Sequence, residues 1–254
     1  MLIAITRGVS ARITECELTH LAREPIDLER ARAQHRQYEN LLAVLGCKLI
    51  KLSAEPELPD SVFVEDTAVV LDELAVITRP GAESRRAETD SVADVLKQHR
   101  KLFYIEQPGT LDGGDVLQLG KALYVGISQR SNQSGIEQLR KILSDFGYAV
   151  EAVILHDCLH LKSAVTQVAD DKLLINRQWV DDKAFGKMQL IDVSPTEPFA
   201  ANAARIGNTL IYPSAFPMTR QKLVAQSIDL RTVDASELAK AEGGVTCCSL
   251  IFEV

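Results

Sequence analysis

The first candidates for chemistry are two adjacent cysteines near the end of the chain, Cys247 and Cys248. They follow the pair Gly243-Gly244 and precede an apolar run at 250–252, a pattern that indicates a buried strand. A strand that carries a thiol into the interior of a fold can place a nucleophile there. Because side chains alternate along a strand, the two thiols should point to opposite faces. We therefore predict one reactive cysteine and no metal ion shared by the pair.

A second cluster consists of three acidic residues, Asp60, Glu65 and Asp66, around an apolar run at 62–70. One interpretation is a solvated loop with a capping carboxylate. However, Glu65 and Asp66 lie inside the run, where a buried carboxylate without a partner is costly. We therefore interpret this cluster as a binding site for a cationic ligand.

Two further acids and a histidine complete the candidate groups. Asp112 and Asp115 bracket two glycines, which allow close approach of the backbone or a turn with positive φ, and a plain turn is the alternative. His160 lies between two leucines, a pattern typical of a half-buried strand with one polar face. A structural histidine of the core is the alternative there, and His156 on the same segment is a competing candidate.

These residue types fit a thiol nucleophile with an acid/base partner that acts on a cation. Guanidinium is the obvious cation, because its planar N–H groups pair with carboxylates two at a time. Two alternatives are a guanidine-binding protein without catalysis and a redox sensor that uses the cysteine pair. The joint presence of candidate thiols, histidines and acids argues against both, and adjacent residues on one strand form a disulfide poorly.

The elements that must position these groups recur with a period of about fifty residues, which is typical of a propeller or a solenoid. Each copy is predicted to be a β-hairpin, a helix and a strand. The helices are predicted at 27–45, 84–99, 131–146, 182–188 and 218–227. The fifth copy is split, since its strand at 245–254 would pair with a strand at 2–6 and its helix and last strand occupy 28–52. A split copy indicates a ring closed by the N- and C-terminal strands, so we predict a five-bladed α/β propeller, with a plain α/β sandwich as the alternative.

Length and composition limit the classes of function. The 254 residues are predicted to form a single domain over 1–254. The net charge of −7 disfavours nucleic acid, whose phosphates need clustered Lys and Arg, and favours a small cationic ligand. Apolar runs shorter than a membrane span and an N-terminus without a signal-peptide pattern predict a cytoplasmic protein. The five cysteines lack Cys-x-x-Cys spacing, so neither a zinc motif nor a disulfide framework is predicted.

Several segments of the chain resemble, in order, motifs of the dimethylarginine dimethylaminohydrolase family. They are residues 59–66, 77–86, 111–115, 160–162 and 243–250. This family belongs to the guanidino-group-modifying superfamily, whose pentein fold consists of ββαβ units. The resemblance implies hydrolysis of asymmetric dimethylarginine and monomethylarginine to citrulline and dimethylamine or methylamine, through a covalent thiouronium and without a cofactor. An arginine deiminase-like reaction is the alternative within the superfamily.

The resemblance also implies roles for individual residues. Cys247 would be the nucleophile and His160 the general acid/base, while Asp112 would orient the histidine or the substrate. The implied substrate-binding residues are Asp60, Glu65 and Asp66 for the guanidinium and the α-amino group, Arg85 and Arg130 for the carboxylate, Leu18 in a lid loop at 7–25, and Ala241 through its backbone. No metal site is implied, and a homodimer is allowed.

Overall fold

The architecture is a set of three-stranded sheets, in a computed structural model that describes residues 1–186 and 188–254. In these residues fifteen strands form five sheets. Their strand orders are β3 (Ala68–Val70), β4 (Leu74–Ile77), β5 (Lys101–Tyr104); β6 (Val116–Leu119), β7 (Ala122–Ile127), β8 (Ala149–Ile154); β9 (Val165–Ala169), β10 (Lys172–Ile175), β11 (Gln189–Asp192); β12 (Ala204–Ile206), β13 (Thr209–Pro213), β14 (Asp229–Val233); and β15 (Leu250–Glu253), β1 (Leu2–Arg7), β2 (Lys48–Leu52). Each middle strand pairs antiparallel with the first strand of its sheet and parallel with the third. The five sheets fit the five predicted units.

Helices connect the strands and pack against the sheets. They are α1 (Leu28–Val44), α2 (Thr89–Leu96), α3 (Gln133–Ser144), α4 (Leu161–Ala164), α5 (Pro217–Ala225) and α6 (Ser236–Ala239). Asp27 begins α1 by accepting the backbone N–H of Arg30, and Asn132 begins α3 in the same way. The helices predicted at 27–45, 131–146 and 218–227 are therefore confirmed. None of the helices in the described ranges is long and apolar enough to cross a membrane.

Two other predicted helices differ from the structure. The first turns of the helix predicted at 84–99 are a 3-10 helix, Glu83–Glu88, and the α-helical part is shorter. The segment predicted at 182–188 contains a 3-10 turn at Asp182–Phe185, whereas Lys187 lies outside the described residues.

The largest correction concerns the two cysteines. The prediction that the last strand begins at Val245 is wrong, because β15 begins at Leu250 and both cysteines lie in the turn before it. The backbone carbonyl of Cys247 accepts the N–H of Glu65, and its Sγ accepts the N–H of Gly244. These bonds hold the segment away from ladder pairing with β1. The pairing of the terminal strands is confirmed, with Leu2 opposite Glu253.

Two further corrections concern residues with polar side chains. Glu65 and Asp66 were predicted inside a strand, but they lie in a 3-10 turn, Val64–Thr67, that precedes β3. His160 was predicted on a strand, but it is the residue that precedes α4. In both places a turn lets the polar side chain reach donors and acceptors that a regular strand would not offer.

One cavity collects residues from all five sheets. Its volume is about 240 Å³, and the first strand of each sheet contributes to its lining. The contributing side chains include Val69, Leu117, Thr166, Ala204 and Leu250. The first strands therefore face a common space, and the residues that precede them are brought to one end of it.

Candidate active site

The candidate catalytic residues occupy equivalent places in different repeats. Asp66 precedes β3, Asp112 precedes β6, His160 precedes β9 with α4 between them, and Cys247 precedes β15. The repeated architecture thus brings residues that are far apart in sequence to neighbouring positions. Asn202 precedes β12 and completes the set.

Seven of the ten predicted site residues line one small cavity. They are Asp60, Asp66, Arg85, Arg130, His160, Ala241 and Cys247. Of the other three, Asp112 is fully buried and contacts His160, and Leu18 packs against the apolar cluster to which Cys247 also belongs. Glu65 instead lines the cavity shared by the five sheets.

His160 is held between carboxylates. Its Nε2 lies 3.1 Å from Oδ2 of Asp112, and its Nδ1 lies 3.9 Å from Oδ1 of Asp66. Burial lowers the pKa of His160, but the charges of Asp66 and Asp115 and the hydrogen bond to Asp112 outweigh it and raise the pKa to about 9. At neutral pH the imidazole is therefore protonated and can act as an acid.

The glycines between Asp112 and Asp115 allow this approach. A Cβ on Gly113 would lie 2.0 Å from the carbonyl oxygen of Glu65, and one on Gly114 would lie 2.7 Å from Nδ1 of His160. The close backbone approach expected from the sequence is thus present. Asp115 accepts the N–H of Leu161 and so fixes the start of α4, next to the histidine.

Cys247 has a neutral thiol in the free protein. Burial and the charges of Glu65 and Asp66 raise the pKa of Cys247 to about 12. Among the described residues, the sulfur has two weak donors, the N–H of Gly244 at 3.3 Å and the hydroxyl of Thr246 at 4.0 Å from Sγ. A positive charge beside the sulfur would lower the pKa of this thiol.

The turn that carries Cys247 is fixed by Asn202. Its Oδ1 accepts the N–H of Thr246, and its Nδ2 donates to the hydroxyl of Thr246 and to the carbonyl of Lys162. The hydroxyl of Thr246 in turn donates to Glu65, which forms an ion pair with Lys162 at 2.6 Å. Sequence reasoning missed Asn202, although its place before the first strand of its repeat is the signal that would have found it.

The two arginines differ in how many of their guanidinium N–H donors are already engaged within the protein. Arg85 pairs with Asp66 at 2.7 Å and with Glu88 at 2.9 Å. Arg130 donates through Nη2 to Thr19, whereas its buried Nη1 has no hydrogen-bond partner in the part of the chain that the structure describes. Arg130 lines the small cavity, and a buried guanidinium nitrogen without an acceptor favours an anionic group in a ligand.

One group in this site has the composition of a metal site. Ligand atoms of Asp66, Asp112 and His160 lie within 4.8 Å of one another. These residues also bond to Arg85, to the N–H of Gly81 and to the N–H of Gly114. The carboxylates therefore already have cationic and N–H partners in this geometry.

The lid loop is tied to the site by one carboxylate that the sequence did not single out. Glu242 accepts the backbone N–H groups of Thr19, His20 and Leu21 at 3.0, 2.6 and 2.6 Å. It lies in the turn before Cys247, with a positive φ of 58°. A second tie joins the N–H of Glu17 to Asp60 at 3.0 Å. No local pattern marks Glu242, because its partners lie at the other end of the chain.

We expect Glu242→Gln to loosen the lid. A neutral amide offers one acceptor in place of two charged ones, so the amides of residues 19–21 should exchange hydrogen about ten to a hundred times faster. Hydrogen exchange measured by mass spectrometry on the wild type and the variant checks this. Glu24→Gln, an equal change at an exposed lid residue, is the control, and equal exchange in all three proteins would contradict the tie.

Several known proteins are similar to this chain in sequence and in structure. The arginine deiminase family model matches residues 54–211. The dimethylarginine dimethylaminohydrolase of Pseudomonas aeruginosa is 35% identical, over 89% of this chain and 90% of that protein. The enzyme of the same name from Streptomyces coelicolor is 37% identical, over 97% of this chain and 95% of that protein. A crystal structure of the Pseudomonas enzyme, as a cysteine-to-serine variant in complex with citrulline, has a TM-score of 0.93 and 32% identity, covering 98% of both chains.

Proposed function

Because the chain belongs to the dimethylarginine dimethylaminohydrolase family, we propose that it hydrolyses Nω-methylated arginines to citrulline and an alkylamine. One observation carries this proposal: Cys247, a protonated His160 and Arg130 line one cavity. The buried Nη1 of Arg130 has no hydrogen-bond partner among the described residues. A nucleophile and an acid suit cleavage of a C–N bond, and the arginine suits the carboxylate of an amino acid.

The same cavity offers complementary groups for the two ends of the substrate. The charge of Asp66 and, behind it, Glu65 would attract the guanidinium. Asp60, whose Oδ2 is bonded to the lid, would bind the α-amino group. Arg130 would bind the carboxylate, while Arg85 keeps the carboxylates of Asp66 and Glu88 in place.

The first half of the reaction forms the covalent intermediate. The bound guanidinium places a positive charge beside Cys247 and lowers the pKa of its thiol, which burial and the acids raise in the free protein. The thiol proton is released to solvent, and the thiolate attacks the guanidinium carbon and forms a C–S bond. The C–N bond to dimethylamine then breaks, and His160 gives its proton to the departing nitrogen. The product on the enzyme is an S-alkylthiouronium.

The second half restores the enzyme. His160, now neutral, takes a proton from water, and the oxygen attacks the thiouronium carbon. The C–S bond breaks, Cys247 leaves as the thiolate, and the hydroxyl proton of the product passes to that thiolate, so citrulline is released and the neutral thiol is restored. Asp112 keeps the imidazole oriented in both halves through its hydrogen bond to Nε2. Each step is supplied by side chains of this site, so no cofactor enters the scheme.

The same proposal extends to the architecture. We propose that the five sheets form a closed five-bladed propeller, a single pentein domain over 1–254. Pairing of β1 with β15 and the cavity lined by the first strand of every sheet support this arrangement. Homodimer formation and a cytoplasmic location stay predictions from the sequence.

Substrate choice tests the function. Citrulline formation is to be measured with asymmetric dimethylarginine, monomethylarginine and arginine at equal concentrations, with dimethylamine quantified in parallel. We expect equal amounts of citrulline and dimethylamine from asymmetric dimethylarginine. The arginine deiminase reaction is the second candidate, since that family model also matches the chain. Citrulline from arginine alone would favour it and overturn our proposal.

The pH dependence of kcat/KM should show the ionisation of His160. As pH rises through about 9, the imidazolium of His160 loses the proton that the leaving amine needs, so the rate should fall. Asp112→Asn should move this fall to lower pH, because the hydrogen bond and charge of Asp112 raise the pKa of His160. Initial rates from neutral to alkaline pH check both statements. An alkaline limb that stays in place in the variant would contradict the assignment.

A further inference from the structure

A second and larger cavity lies beside the candidate active site. Its volume is about 600 Å³, within the range of small-molecule sites. Leu159, Glu242 and Gly243 line both cavities and so form a shared wall. His20 and Leu21 of the loop at 7–25 also line it, so an occupant would contact that loop.

Aromatic side chains form one side of this cavity. Trp179 and Phe199 pack edge to face, with 5.1 Å between ring centroids, and Phe216 also lines the cavity. Trp179 is buried, whereas Phe199 is 51% exposed. An aromatic ring that stays half exposed at the mouth of an apolar cavity offers surface for a flat apolar group.

Two carboxylates line the cavity. They belong to Asp157 and Glu242; the other ionisable lining residues are His20 and Cys158, and no Lys or Arg lines it in the described part of the chain. Glu242 is engaged by the lid amides. Asp157 is exposed, with a positive φ of 51°, and its carboxylate has no ion pair among the described residues. An acid beside aromatic faces matches an organic cation, through the carboxylate and through cation–π attraction.

We propose that this cavity binds a primary arylalkylamine, with its ring against Trp179 and Phe199 and its ammonium group at Asp157. The chemistry differs from that of the substrate pocket, where Arg130 calls for a carboxylate. The proposal does not depend on the reaction assigned to the chain, since it concerns binding to the resting protein.

The chain carries its own reporter for this site. Trp179 is the single tryptophan of the sequence, so intrinsic tryptophan fluorescence reports on this cavity alone. The test is a titration at low salt and neutral pH with 2-phenylethylamine and with its isosteric acid, 3-phenylpropanoate. The amine should give a saturable change and bind at least about ten times more tightly than the acid, as expected for reversal of one charge near a partly exposed carboxylate. No saturable change, or equal affinities, would overturn the proposal.

Three variants locate the binding site. Phe199→Ala should weaken amine binding about fivefold or more through loss of the ring contact, and Asp157→Asn should reduce the preference for amine over acid to about twofold. Asp60→Asn is the matched control, because it removes the acid that would bind an amine in the substrate pocket. It should leave amine affinity unchanged. If Asp60→Asn rather than Asp157→Asn weakens binding, the amine occupies the substrate pocket and the second site is disproved.

Discussion

Cys247→Ala is expected to lower citrulline formation from asymmetric dimethylarginine by about four orders of magnitude or more, the scale seen when a catalytic nucleophile is removed. Among the described residues that line this cavity there is no other thiol, no hydroxyl and no lysine that could replace the sulfur. A continuous assay for citrulline with wild type and variant at equal concentration checks the loss.

Cys248→Ala is the matched control for this experiment. Cys248 is buried, and its thiol donates to the carbonyl of Gly244 rather than facing the cavity. Its removal should cost about 1 kcal/mol of stability, and kcat should stay within about threefold of the wild type. If Cys248→Ala loses as much activity as Cys247→Ala, the nucleophile is assigned to the wrong thiol or the turn collapses without its neighbour. Thermal unfolding of both variants separates those two outcomes.

The two cysteines also show how much of the site geometry could be predicted from the sequence. The sequence pattern correctly predicted that the two thiols differ, but its reason was wrong. It assumed alternation along a strand, whereas both residues lie in a turn in which Cys247 is opposite Glu65 and Cys248 points to Gly244. A turn of this kind is held by side chains such as Asn202, which lies 45 residues before Cys247 in the sequence. Local propensity contains no information on such partners.

The architecture was easier to predict from the sequence than the geometry of the site. Apolar runs recur in each unit, and some helices also have a capping residue such as Asp27 or Asn132, so the repeats and their helices could be predicted locally. Distances such as 3.1 Å between His160 and Asp112 depend on how neighbouring units pack, and the tie between Glu242 and the lid joins the two ends of the chain. Motif resemblance located the residues, but only packing of the sheets shows which of Arg85 and Arg130 keeps a donor for a ligand.

His160→Gln provides the second large effect and separates the two halves of the reaction. Glutamine can still donate to Asp112, but it cannot supply a proton to a departing amine. We expect kcat on asymmetric dimethylarginine to fall by about two to four orders of magnitude, the range for loss of general acid/base catalysis. The alkaline limb of the pH profile should disappear with the histidine, since the imidazolium is the group with a pKa of about 9.

A substrate with a different leaving group makes this prediction specific. In S-methyl-L-thiocitrulline the group that departs is a thiolate, which is stable without a proton, so the first half of the reaction should survive in His160→Gln. The second half still needs a base for water, and the covalent adduct on Cys247 should accumulate. Intact-protein mass spectrometry after mixing would detect it, and the Cys247→Ala variant should show none. If His160→Gln forms no adduct with this substrate, the histidine is needed to shape the cavity or to ionise the thiol, and its assignment as the acid for the leaving amine fails.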